Sequence, residues 1–151
     1  MASNDFAVSF YFELLFKGEK IAFQEITGLS QELNVEEIVS GGENRFKHKL
    51  PTTATYQNLG LKRALIPVTS KLVTWCKSTI GGGLINRVET NDVYVNLLGA
   101  NQQVSMKWTF HKAWPVKYAF SDLRSQDNSL VIESIDLAYT YFEISSIKSS
   151  N

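Results

Sequence analysis

Between Ala7 and Phe16 the chain alternates strictly. Val8, Phe10, Phe12, Leu14 and Phe16 fall on one face, with Ser9, Tyr11 and Glu13 on the other. A period of two is what an extended strand imposes, because successive side chains point to opposite sides. The same rhythm returns at Gln103–Phe110, where Val104, Met106, Trp108 and Phe110 oppose Gln103, Ser105, Lys107 and Thr109. Patterns and turn clusters together predict strands over about 6–16, 21–27, 31–39, 58–65, 92–98, 103–110, 116–120 and 130–144. Arg45–Leu50 reads as a further short strand ended by Pro51, and 145–151 as a frayed tail.

One segment departs from this pattern. Leu72, Trp75, Cys76, Thr79 and Ile80 recur at helical spacing, after Pro67 and before Gly81-Gly82-Gly83, and Thr69 or Ser70 can cap the start. The spacing predicts one amphipathic helix over 68–80, whose apolar stripe needs a sheet to cover. The fold class is therefore mainly β, a two-sheet sandwich or barrel with one flanking α-helix, in a single domain over 1–151. The final strand changes phase: Ile135, Leu137, Tyr139 and Tyr141 follow the odd face, Leu130, Ile132, Phe142 and Ile144 the even one. A bend or bulge would explain that, and so would burial of both faces. Strands longer than the usual five or six or so residues leave long edges in so small a domain. Such edges need a cover, and a closed ring of copies provides one.

Charge and cysteine content narrow the function. Lys+Arg and Asp+Glu both number 15, so no net charge pulls the chain toward nucleic acid or an anionic membrane. With one cysteine, Cys76, no internal disulfide forms. The N-terminus lacks a basic stretch followed by an apolar run, so synthesis in the cytoplasm without a signal peptide is expected, and no apolar segment reaches the ~20 residues of a membrane span.

Catalytic readings fare poorly. Cys76 with His48 or His111 would need a depressed thiol pKa, yet Cys76 lies on the helix's apolar stripe beside Trp75. The same three residues lack metal-ligand spacing. The triple glycine follows a helix, whereas a phosphate-cradling loop precedes one. Glu36 and Glu37 are adjacent on a strand and face opposite ways, so they do not converge. The aromatics follow core alternation without the net basic charge of a nucleic-acid platform. No catalytic residue, cofactor site or metal site is expected, and the chain reads as no enzyme. A small β-barrel holding an apolar ligand in its mouth is the alternative; it would purify as a monomer or dimer.

Two blocks carry a resemblance. Phe23–Leu65, "FQEITGLSQELNVEEIVSGGENRFKHKLPTTATYQNLGLKRAL", resembles the tail-tube proteins of contractile phage tails and extracellular contractile injection systems. The matching positions are Phe23, Glu25, Gly28, Leu29, Gly41, Gly42, His48, Lys49, Leu50, Pro51, Tyr56, Asn58, Leu59, Leu61, Lys62 and Arg63. Trp108, Phe110, Ala113, Trp114, Pro115, Lys117, Asp122, Leu123, Glu133 and Leu137 carry the second block. Ala64, Lys112, the "TAT" of 53–55 and "YTYFE" depart from the family pattern.

The resemblance implies a structural subunit of a hollow tube. Six-fold rings would stack inside a sheath, with baseplate and cap proteins at the ends and a protein effector or DNA in the lumen. The particle would be extracellular after release or cell-anchored, with no direct membrane anchoring by this chain. Within that picture, a polar segment holding Gly41, Gly42, Glu43, Asn44, His48, Lys49, Pro51, Thr52, Thr53 and Tyr56 is expected to project as a loop or hairpin onto the adjacent ring. Gln103, Ser105, Lys107 and Thr109 are expected to line the lumen. Leu59, Leu61 and Leu65 are expected to face the core with Lys62 opposite. Arg63 shares that apolar face and needs a carboxylate, expected from a neighbouring subunit.

Overall fold

The computed structural model describes residues 11–39, 47–65, 70–82, 87–125 and 130–146. Ten strands and one helix follow in the order β1 (Tyr11–Phe16), β2 (Glu19–Phe23), β3 (Glu25–Thr27), β4 (Gln31–Val39), β5 (Lys47–Tyr56), β6 (Leu59–Ala64), α1 (Lys71–Gly81), β7 (Asn91–Leu98), β8 (Val104–Phe120), β9 (Ile132–Ala138) and β10 (Tyr141–Ser146). The main strands run β2-β1-β7-β8-β9-β6-β3, with β10 also on β8. Every pairing is antiparallel.

The 17-residue β8 belongs to both layers. Its first half pairs with β7 on one side and with β10 on the other. Its second half, Trp114–Phe120, pairs with β9. The bend lies at Lys112, whose φ of 54° is left-handed, and Lys112 N–H donates to Asp92 Oδ1 at 3.1 Å. The sequence pattern treats 103–110 and 116–120 as separate strands because "HKAWP" looks like a connection. The structure joins them. Pro115 is accommodated where the β8–β9 register shifts, between Pro115 and Lys117, a place where a missing N–H costs no ladder bond.

The chain changes layers again at Gln24, dividing the expected 21–27 strand into β2 on β1 and β3 on β6. Gln24 N–H donates to the Lys62 carbonyl at 2.9 Å and keeps the backbone satisfied through the change. The phase change of the last strand is likewise a break. Tyr139 and Thr140 separate β9 from β10, and Thr140 N–H donates to the His111 carbonyl. β9 buries its odd residues and β10 buries Phe142, so both halves still face inward.

The two layers enclose one core. Leu14, Phe16, Ile21, Phe23, Val93, Val95, Trp108 and Phe110 meet Leu59, Leu61, Ile135 and Leu137. Burying each such side chain contributes about 1.5–3 kcal/mol. The helix closes one side with Leu72, Trp75 and Cys76, and Trp75 stacks on Phe16 with centroids 4.7 Å apart. Ser70 caps it by accepting from Val73 N–H at 3.1 Å. The mainly β, two-sheet architecture with one flanking helix holds, and among the described residues the strand order is open rather than closed into a barrel. Leu65 departs from expectation: beyond the end of β6 it is 41% exposed instead of lying in the core.

Gly28 marks the exit from the sandwich. Its φ is +86°, and a Cβ there would sit 2.0 Å from the Asn58 carbonyl oxygen. Gly28→Ala should therefore cost more than about 2 kcal/mol. Urea unfolding of the unassembled chain measures this, and wild-type stability would contradict it.

Candidate assembly interface

The groups that sequence reasoning weighed for catalysis are placed elsewhere. Cys76 is fully buried, and its thiol is pushed up to about 12 by burial and then by the Glu133 carboxylate. A thiol held that high supplies no thiolate at neutral pH. His111 stacks on Tyr141 at 4.4 Å and lies 3.8 Å from Asp92 and 3.7 Å from Glu143. Among the described residues no group of His, Cys, Asp and Glu is arranged to hold a metal. The ligand-barrel reading finds no enclosed apolar mouth in the groove of about 690 Å³ between α1 and the β1–β2 turn; that groove is open and rimmed by Lys17, Glu19, Lys71 and Glu89.

Arg63 does not wait for a neighbour. Its guanidinium meets Glu133 of the same chain, Nε to Oε1 at 3.3 Å, and it lies 5.5 Å from the Phe23 ring centroid. Arg63 and Glu133 are cross-strand partners on β6 and β9, and both are buried. The expected inter-subunit pair is thus corrected to an internal one. A signal was present: Glu133 interrupts the apolar odd face of β9 as Arg63 interrupts that of β6.

The segment expected to project is a two-stranded ribbon, β4 on β5, outside the main strand order. β5 runs through Pro51, where the sequence pattern predicts a stop. A ribbon strand has a free edge that needs no N–H, and the register slips nearby, between Leu33 and Val35. Pro51, Thr52 and Thr53 are therefore strand residues, and Lys49 is exposed on the same strand. The Asn34 amide donates to the Thr55 hydroxyl at 2.8 Å, and the Thr52 hydroxyl donates to the Asn34 carbonyl. Tyr56 anchors the base edge-on to Tyr139 and Phe142. The Tyr139 hydroxyl donates to the Gln57 carbonyl at 2.7 Å, and burial and then Tyr56 push its phenol up to about 12. Gly41, Gly42, Glu43, Asn44 and the side chain of His48 lie outside the described residues.

The ribbon has two different faces. Cross-strand partners share a face, so Leu33 with Ala54 and Val35 with Pro51 form an apolar stripe, Leu33 57% and Val35 55% exposed. Glu32 with Thr55 and Glu36 with Leu50 form the other face. Back on the sandwich, Ser105, Lys107 and Thr109 of the expected lumen set share the outer face of the first layer, and Gln103 precedes β8. Ser105 donates to the Leu97 carbonyl, the Lys107 ammonium lies 4.5 Å from the Tyr94 centroid, and Glu13 accepts from Asn96 alongside. Thr109 is half-buried there and Gln103 is exposed. β2, β3, β10 and the second half of β8 each keep an edge with no strand partner among the described residues.

A sandwich with open edges, a projecting ribbon and an inert buried cysteine is a structural subunit built to meet other chains. The chain belongs to the T4-like virus tail tube protein gp19 family, whose model matches residues 8–143. Solved structures agree. A chain of the anti-feeding prophage baseplate, 6-fold symmetrised, aligns with a TM-score of 0.74 at 26% identity over 92% of this chain and 93% of that one. A chain of the PVC sheath-tube complex of an extracellular contractile injection system, in the extended state, gives 0.76 at 22% identity over 90% and 88%. One from the anti-feeding prophage tube-terminating cap gives 0.77 at 20% identity over 90% and 88%. No curated protein sequence matches the chain. The protein is thus a tail tube protein, structural and not an enzyme. No helix among the described residues is long and apolar enough to cross a membrane.

The internal ion pair gives a direct test. Arg63→Met should lose about 3–5 kcal/mol in the unassembled chain, since it strands a buried carboxylate, and adding Glu133→Leu should recover most of that. Urea unfolding reads both. An effect visible only in assembled material would restore the inter-subunit pairing.

Proposed function

We propose that copies of this chain close into six-fold rings, that the rings stack into a hollow tube, and that the projecting ribbon makes the ring-to-ring contact. The observation that carries this reading is the ribbon's exposed apolar stripe of Leu33, Val35, Pro51 and Ala54. A two-stranded ribbon is marginal alone in water, and apolar side chains at more than half exposure need a cover. A subunit in the next ring is such a cover. Unpaired edges of neighbouring sandwiches join within a ring, so that no edge is left over. The polar face bearing Gln103, Ser105, Lys107 and Thr109 lines the lumen, where mixed charge holds cargo without gripping it. Sheath outside and cap and baseplate proteins at the ends complete a particle whose contraction drives the tube through a target envelope, with a protein effector or DNA inside. The particle is extracellular after release or held at a cell.

Function is then mechanical. Many weak contacts repeated around and along the axis sum to a rigid tube, which is multivalency without a single strong bond.

Negative-stain electron microscopy of the purified chain tests this. Rings with a central hole, stacking into filaments at high concentration, are expected. Leu33→Asp with Val35→Asp should leave single rings and abolish filaments. A wild-type chain that remains monomeric at all concentrations contradicts the proposal.

A further inference from the structure

The ribbon's second face has a matching surface at the far end of the second layer. A groove of about 500 Å³ crosses β3, β6, β9 and the end of β8, and Lys62, Lys117, Phe120 and Ser134 help to line it. Two lysines line it against one glutamate, Glu25, whose carboxylate is 3.9 Å from the Lys62 ammonium. Asp136 is cross-strand from Lys117 but does not line the groove. Among the described residues Lys117 has no ion-pair partner. Phe120 is 47% exposed at the rim.

β4 is the complement. It carries glutamates and no cation, and Glu32 and Glu36 share the face that also presents Leu50, 46% exposed. Neither Glu32 nor Glu36 has an ion-pair partner among the described residues. The spacings agree. Glu32 and Glu36 are four residues apart on one strand, about 13 Å, while Lys62 and Lys117 are separated by two strand spacings and two residues of register, about 12 Å.

Placement makes this a contact between copies. The ribbon leaves the layer at the Leu59–Leu137 end, where Tyr56 and Gln57 are held by Tyr139. The groove lies toward the other end, where Ile132 and Ser121 follow Ala64's partner strand out of the sheet. A protrusion at one end and a complementary groove toward the other form a head-to-tail pair, which propagates as an open stack instead of closing on itself.

We infer that the acidic face of β4 from one copy docks in the Lys62–Lys117 groove of a second copy in the adjacent ring, Glu36 against Lys117 and Glu32 against Lys62. This rests on the stacked-tube reading and names the surface that receives the ribbon. Glu37, on the opposite face, takes no part in the contact. The docking fixes rotational register between rings, because an apolar stripe alone tolerates sliding whereas paired charges do not.

A charge swap tests it. Glu36→Lys and Lys117→Glu are each exposed substitutions, and each should cut the number of stacked rings at low salt roughly tenfold, since repulsion is repeated around every ring interface. The double variant should restore wild-type stacking. Independently, Glu36→Cys with Lys117→Cys should give a ladder of disulfide-linked chains on a denaturing gel when oxidised as tubes, with Cys76 buried and silent. Stacked tubes in which the single variants behave as wild type, the swap fails to restore stacking, or the cysteine pair gives no ladder overturn this docking and leave the tube reading intact. A wild-type chain that never forms rings overturns both.

Discussion

One strand, β8, is shared by both layers, and the rest of the molecule is arranged around that fact. Over 17 residues it holds β7 and β10, turns at Lys112, and then holds β9. A strand paired on both sides in its first half and on one side in its second converts a flat ribbon of strands into a sandwich. The bend lets Trp108 and Phe110 from one half and Ala113 near the turn reach the same core as Ile135 and Leu137 of β9. It also leaves the outer edge of Trp114–Phe120 without a strand partner among the described residues, so the device that builds the core creates an edge to be covered.

The same economy governs the surface. The sandwich encloses its own apolar core, with Arg63 and Glu133 paired inside it at 3.3 Å. The ribbon does not. Every described side chain of β4 is exposed, and Tyr56 with its aromatic neighbours ties the ribbon to the body. A subunit that keeps its core to itself and exposes a long arm can be made as a soluble unit and later locked by neighbours. In a tail tube protein that division separates folding from assembly. Zero net charge would favour the proposed stacking, because like copies brought close meet little long-range repulsion.

Much of this was legible in the residues. Alternation at Tyr11–Phe16 and Val104–Phe110, the capped helix after Ser70, and the extent of Gln31–Val39 follow from local patterns, and the structure has those elements. Two prolines misled. Pro51 and Pro115 read as stops, yet a free ribbon edge and a register shift each absorb a missing N–H, and neither is visible without the partner strand. Pairing of Arg63 with Glu133 spans seventy positions and needs the β6–β9 register. The exposure of Leu65 needs the end of that register too. Alternation already separates Leu33 and Val35 from Glu32 and Glu36, but which β5 residues join each face depends on the slip between Leu33 and Val35, which only a known pairing reveals.

Hydrogen exchange at the ribbon amides tests the central claim most directly, that the sandwich is complete in one chain and the ribbon only among several. In the unassembled chain the amides of Gln31–Val39 and Lys47–Tyr56 should exchange fast while those of Trp108 and Phe110 in β8 stay protected, and in assembled tubes both sets should be protected. Ribbon amides equally protected before and after assembly would contradict the account.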